Sequence, residues 1–291
     1  MNVLIAIVGQ TATGKSRLAV ELARRTDGAI LSVDSRCIYR FMDIGTAKPT
    51  LSDRSLVVHH GLDLCDPTAA WSVDRFVAYG QQVIESARRR SESLILVGGT
   101  GYWMRALLGG GFSQAVPPDR SLRSRLASTS PHELARHLER LDPAALARID
   151  RRNPRRLIRA IEVVEFSGRP YAEAVRSWTT TDCRVIGLAM DWETLRERIA
   201  ARNRAMIELG WVEEVRWLVG RGYEPSLPAM SSIGYREMVP HVQGSESLDR
   251  TLTAIDARCR RFARGQRSWF RRDDPAIEWF DAATVAAEDI L

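Results

Sequence analysis

Lysine is almost missing from this chain: of 42 basic residues only Lys15 and Lys48 are lysines. A lysine inside a motif is therefore not background. Cysteine is sparse too, with Cys37, Cys65, Cys183 and Cys259 scattered and no C-x-x-C spacing. Of five histidines only His59 and His60 adjoin. These absences exclude a disulfide framework and a closely spaced zinc site, and leave the histidine pair as expected loop residues. No uninterrupted apolar run approaches the roughly 18 residues of a membrane helix, and the short run near the start carries neither a basic leader nor a small-residue cleavage site. The expectation is a cytoplasmic protein without a membrane span.

What is present is a chain of 291 residues, 45% apolar, enough for a large α/β domain or a core carrying a smaller second one. The net charge of +6 favours a polyanionic partner. Codon bias in a GC-rich genome would also enrich arginine, so the placement of the arginines says more than their number.

The most informative stretch is Gly9-Gln10-Thr11-Ala12-Thr13-Gly14-Lys15-Ser16, a match to G-x-x-x-x-G-K-[ST]. It follows the apolar run Val3 to Val8, read as a buried parallel strand, and precedes the helical spacing of Arg17 to Ala23. Glycines let the backbone curl into a ring of inward N–H groups. The helix start adds its positive dipole end, Lys15 a point charge, and the Ser16 hydroxyl a ligand for Mg²⁺. Such a loop binds polyphosphate, with Gly9, Thr11, Ala12, Thr13, Gly14, Lys15 and Ser16 as the expected contacts. The alternative is a ligand-free turn, which would leave the coincidence of strand, loop, lysine, hydroxyl and helix unexplained.

Two further strands point at the same place. Ala29 to Val33 runs into Asp34, and Leu94 to Val97 runs into Gly98-Gly99-Thr100. Ligands of open α/β sheets bind beyond the carboxyl ends of strands, which sets Asp34 and Thr100 beside the phosphate loop. Position alone leaves Asp34 equally a general base or a helix cap or outer ligand of Mg²⁺. Ser72 to Arg90 reads as a capped amphipathic helix. From about 114 to 183 no strand is expected and helical segments follow one another; strand returns at Arg184 to Met190. The fold expected is α/β, a P-loop NTPase-like parallel sheet core of residues 1–113 and 184–291 with an inserted all-helical domain, 114–183.

Arginines cluster twice. Arg151-Arg152-Asn153-Pro154-Arg155-Arg156-Leu157-Ile158-Arg159 opens a helix, a pattern suited to phosphate contacts or to a solvated face. Leu252 to Arg272 is expected to form one helix with Arg260, Arg264, Arg267 and Arg271 along one side, beside Phe262, Gln266, Trp269 and Phe270. Arginine interleaved with aromatics suits single-stranded nucleic acid, although such aromatics are more often core.

These segments resemble the tRNA dimethylallyltransferases, also called tRNA isopentenyltransferases, from Val3 to about Trp279. The resemblance rests on Gly9 to Ser16, Asp34 to Arg40 with Met42-Asp43-Ile44-Gly45-Thr46-Ala47-Lys48-Pro49, His59-His60, Leu96 to Gly101, Asn153 to Val163, Ile233 to Glu237, and Phe262 to Arg271. It implies transfer of a dimethylallyl group from dimethylallyl diphosphate to N6 of the adenosine just 3′ of the tRNA anticodon, position 37, with Mg²⁺ as cofactor. It further implies that the Gly9 to Ser16 loop holds the diphosphate and that Lys15, Asp34 and Thr100 are catalytic. Asp34, Ser35, Arg36, Cys37, Thr100, Arg123, Arg155, Arg156, Arg159, Gly234, Tyr235, Arg236, Arg260, Arg264, Gln266, Arg267 and Arg271 would meet the anticodon stem-loop. A monomer is expected. The family usually has glutamine at Cys37, glycine at Phe41 and often a basic residue at Gly265.

The chemistry requires these parts together. The exocyclic amine of adenine is a poor nucleophile, so transfer needs a neutralised leaving group and help with the proton; Lys15, the loop amides and Asp34 would supply them. A small-molecule kinase would share the loop but need a lid. A prenyltransferase acting on free AMP would have little use for the helical insertion. A non-catalytic RNA-binding protein would leave the phosphate loop and Asp34 without a role.

Overall fold

A computed structural model describes residues 3–109, 116, 119–171 and 182–291. The chain divides into two compact units, Met1–Met104 with Thr181–Leu291, and Arg105–Thr180. The expected breaks at 113/114 and 183/184 therefore lie nearer 104/105 and 180/181; the first falls inside a helix, Gly101–Leu107, rather than at the glycine run that follows it.

The larger unit is built on a six-stranded, wholly parallel sheet. Its strands are β1 (Leu4–Gly9), β2 (Ala29–Ser32), β3 (His59–His60), β4 (Leu94–Val97), β5 (Arg184–Ala189) and β6 (Glu278–Asp281), in the order β3-β2-β4-β1-β5-β6. Ile5 to Val8, Ile30, Leu31 and Leu94 to Leu96 are almost fully buried, as continuous apolar runs in a parallel sheet should be. His59 and His60 are a correction: they pair with Ile30 and Leu31 as an edge strand instead of forming a loop. An edge strand covered on one side tolerates partly exposed polar side chains, so an apolar pattern is missing there.

The register decides what the strands deliver. Ile7 aligns with Val97, Ser32 with Val97, and Gly9 with Leu188, so the segments after β1, β2 and β4 leave the sheet at one edge. The first helix, α1 (Lys15–Arg25), buries Leu18, Ala19, Leu22 and Ala23 and ends in Arg24 and Arg25, which complement its negative pole. Next come α2 (Leu51–Leu56), α3 (Val73–Arg89) and α4 (Gly101–Leu107), α3 capped by Ser72, whose hydroxyl accepts from the Arg75 N–H at 3.3 Å.

The smaller unit is helical in its described residues: α5 (Arg120–Leu126), α6 (Pro131–Leu141), α7 (Pro143–Leu146) and α8 (Pro154–Ser167). Leu134, Leu138, Leu146, Leu157 and Ile161 form its core. Local signals set the ends: a Ser130/Glu133 capping box with Pro131 starts α6, while Asn153 with Pro154 starts α8 and Gly168 at φ 63° stops it.

Four helices complete the larger unit: α9 (Trp192–Glu208), α10 (Trp211–Gly220), α11 (Tyr235–Val242) and α12 (Leu248–Gln266). The last is the second correction, because it does not reach Arg272. After Gln266 the backbone passes into turns, Arg267 N–H to Arg264 carbonyl and Ser268 N–H to Gly265 carbonyl at 3.2 Å each. Phe270, just past the helix end, is buried.

Candidate active site

The phosphate loop is shaped by three residues at positive φ, Gly9 at 134°, Ala12 at 65° and Gly14 at 90°. Gly14 is the N-cap of α1 and has no side chain to occupy the first helical N–H groups, which therefore remain open to an anion. Thr13 Oγ1 and Lys15 Nζ both donate to the Gln10 carbonyl, at 2.9 and 2.5 Å. Lys15 is 8% exposed. Burial, with Arg202 beside it, lowers its pKa to about 7, and the opposite pull of Asp34 only partly offsets this.

Gln266 links the loop to its neighbour. Its side chain accepts from the Thr11 N–H at 2.8 Å and donates to the Gly99 carbonyl at 2.8 Å, and it is 2% exposed. A residue expected to face RNA thus spends its amide on the protein. Gly98 and Gly99 are required by the same closeness: a Cβ would stand 2.1 Å from the Val33 carbonyl at Gly98, and 2.3 Å from Gln266 Nε2 at Gly99.

Asp34 follows β2 and accepts from the Arg36 N–H at 2.7 Å; the Ser35 N–H reaches Thr100 Oγ1 at 3.4 Å. Two cavities of about 460 and 440 Å³ meet here. The first is lined by the phosphate loop, including Lys15 and Ser16, and by Cys37; the second by Ser35, Arg36 and Thr100. Thr11, Asp34, Thr46, Ala47, Arg202 and Phe262 line both. Asp34 thereby faces the phosphate side and the second chamber together. The Cys37 thiol is pushed up by burial and leans on the Thr46 carbonyl at 3.6 Å, so it stays neutral.

Three groups in or beside this site have no role assigned from the sequence. Arg202, on α9, donates to Thr11 Oγ1 at 2.8 Å and lines both cavities; one arginine among so many carries no signal. Lys48, 8% exposed, donates to the Tyr39 carbonyl, Asp43 Oδ1 and Asp63 Oδ1, each at 2.6 Å. Its rarity was the clue. Glu214 accepts from the N–H groups of Asp43, Ile44 and Gly45 and from the Tyr235 hydroxyl.

The remaining expected RNA contacts are dispersed. Arg260 and Arg264 lie on α12, Arg264 with its guanidinium 4.6 Å over the Trp192 ring and Arg267, the C-cap, 5.5 Å from the same ring. Arg271 lies beyond the helix and pairs with Asp273 at 2.6 Å, so the four do not form one helical row. Arg36 reaches the Pro228 carbonyl at 2.8 Å, Arg236 is exposed, and Gly234 and Tyr235 are buried. In the helical unit Arg155 and Arg156 are exposed, whereas Arg123 and Arg159 both bind Glu162, which is 1% exposed.

A parallel sheet whose first strand ends in a lysine-bearing G-x-x-x-x-G-K-S loop at a helix start, with a carboxylate just past β2, on the far side of β4 from β1, defines a P-loop-type α/β protein. The chain belongs to the IPP transferase family, whose model matches residues 37–273. It is 40% identical over 283 residues to a tRNA dimethylallyltransferase of Synechocystis, covering 96% of this chain and 91% of that one. It is 42% identical over 275 residues to one of Roseiflexus castenholzii, covering 92% and 90%. Among solved structures, the tRNA isopentenylpyrophosphate transferase of Bacillus halodurans superposes with a TM-score of 0.71 at 33% identity, over 100% of this chain and 93% of that one. A eukaryotic dimethylallyltransferase acting on tRNA gives 0.81 at 25%, over 97% and 74%.

Proposed function

We propose that this protein transfers a dimethylallyl group from dimethylallyl diphosphate to N6 of the adenosine 3′ of the anticodon in tRNA, releasing diphosphate. The observation that carries the reading is Asp34, shared by the phosphate-loop cavity and the second chamber. The names of the relatives support tRNA as acceptor.

In this reading the diphosphate lies on the Thr11 to Ser16 loop, with Lys15 and Arg202 facing it. Val20, Ile30, Pro49 and Val97 offer apolar walls in the same cavity for a five-carbon chain. The adenine amine enters from the second chamber, beside Thr100, and attacks the allylic carbon. The C–O bond to diphosphate breaks, the leaving oxygen's charge is met by Lys15 and the loop amides, and Asp34 takes the amine proton. The base must leave its stack to get there, at a cost of a few kcal/mol that arginine–phosphate contacts offset.

Among the described residues no cluster of three or more His, Cys, Asp or Glu is placed to hold a metal. Ser16 offers the cavity one hydroxyl. That sparse set fits Mg²⁺, which keeps waters and takes ligands from substrate phosphates. When bound, Mg²⁺ would add charge neutralisation at the departing diphosphate. No described helix is long and apolar enough to cross a membrane.

The test is incubation with dimethylallyl diphosphate, Mg²⁺ and either unmodified tRNA or AMP, followed by mass spectrometry of the nucleosides. Prenylated adenosine released from tRNA, at the base 3′ of the anticodon, is expected. Product from AMP alone refutes the tRNA assignment, and no product from either refutes the activity.

A further inference from the structure

The loop from Met42 to Pro49 walls both cavities, and one face of α10 closes on it. Thr46 and Ala47 line the two chambers together, Gly45 the second, and Lys48 and Pro49 the first. On α10, Trp211, Glu214 and Trp217 recur three residues apart and share a side of the helix. Glu214 Oε2 accepts from the N–H groups of Asp43 and Ile44, both at 2.7 Å. Its Oε1 accepts from the Gly45 N–H at 3.2 Å and the Tyr235 hydroxyl at 2.5 Å.

The flanking contacts tighten the same clasp. A Cβ on Gly45 would stand 2.0 Å from Trp211 Nε1, and one on Gly234 1.9 Å from Trp211 Cζ2, so both glycines are needed for the indole to seat. Phe41 holds a left-handed φ of 66° with its ring centroid 5.3 Å from that of Trp217. Tyr235 is fully buried, and burial next to Glu214 raises its hydroxyl well above the ordinary tyrosine range, so it remains a donor.

We propose that Glu214 is a positioning residue for the prenyl transfer. Through three consecutive backbone N–H groups its carboxylate sets the wall common to the phosphate and acceptor chambers, and Tyr235 orients that carboxylate instead of touching RNA. The inference rests on the function proposed above. A glutamine cannot substitute: each carboxylate oxygen serves two donors, and an amide nitrogen in either place would confront donors with a donor.

The experiment compares wild type, Glu214→Gln and Glu214→Asp by steady-state kinetics and by amide hydrogen exchange. In Glu214→Gln, exchange at residues 43–45 should quicken while the amides of β1 and β4 keep their protection. The kcat should fall about 10- to 100-fold, the effect of a misplaced reacting geometry, with KM for both substrates within about threefold. Glu214→Asp keeps the charge and should recover part of both changes. Faster exchange at 43–45 with unchanged kcat overturns the proposal, as does loss of protection throughout the sheet. A raised KM for tRNA at constant kcat also overturns it and makes the pair an RNA contact. If wild type itself transfers no prenyl group, the functional reading fails separately, and unchanged exchange at 43–45 still refutes the clasp.

Discussion

Lys15 is the residue whose chemistry is most altered by its surroundings. Buried and facing Arg202, it has a pKa of about 7 in the unliganded protein, against 10.5 ordinarily. A diphosphate in the loop favours the ammonium and raises that pKa again. Below pH 7 the lysine is already charged and binding needs no proton on its account. Above pH 7 binding must supply one, so affinity declines by up to about tenfold per pH unit until the pKa of the complex is reached. Calorimetry near pH 8.5 in buffers of different ionisation heat should therefore show wild type taking up nearly one proton more than Lys15→Arg, which is charged throughout. Equal uptake would mean that Lys15 is already protonated in the free loop.

Among the elements, α8 shows best how a charge cluster divides between structure and solvent. Five arginines mark its start, but Arg159 turns back to the Glu162 carboxylate at 2.5 Å, where Arg123 joins it at 2.8 Å and the Asp119 N–H donates at 2.6 Å. Burial alone would raise the Glu162 carboxyl, but the hydrogen bonds from Arg123, Arg159 and Asp119 outweigh it and hold the pKa below the usual carboxylate range. A depressed carboxyl stabilises the native state at neutral pH, and that stabilisation is lost as pH falls through its folded pKa. Glu162→Gln should lower stability by about 1.5–3 kcal/mol, the worth of hydrogen bonds to a charged group. Thermal denaturation at neutral pH would measure it, and the gap from wild type should close in acid. A gap that stays constant with pH would show that the carboxylate's charge is not what stabilises the unit.

For the whole molecule the question is whether a net charge of +6 is a binding surface or a base composition. If exposed arginines meet RNA phosphates, each removal lowers the salt slope of log K for tRNA by about 0.7–0.9. Arg155→Ala, Arg156→Ala and Arg264→Ala should each do so. Arg271 is occupied by Asp273 and should change the slope less; Arg88, paired with Asp182 at 3.4 Å, should leave it unaltered. Filter binding across a salt series decides it, and identical slopes in all five variants would make the arginines a solvated face.

Much of this protein is legible along the chain because its decisive features are local. The phosphate loop needs glycine, lysine and serine at set spacings between a strand and a helix, and buried parallel strands must be continuous apolar runs. Caps such as Ser72 and Asn153 act within one turn. The edge strand His59–His60 is invisible because pairing on one side asks for no apolar pattern, and the stop of α12 at Gln266 is invisible because the burial of Phe270, just past it, is set by tertiary packing. The same holds for roles. The resemblance implies RNA contacts for Gln266, Tyr235, Arg159 and Arg123, but the intramolecular partners of such polar side chains are set by whichever groups the fold brings within hydrogen-bond reach. Here those partners are Thr11 and Gly99 for Gln266, Glu214 for Tyr235, and Glu162 for the two arginines. Spacing specifies the loop motif; only the packing of α9, α10 and α12 around the sheet edge decides that Arg202 lines the same cavity and that Glu214 holds the 43–45 backbone.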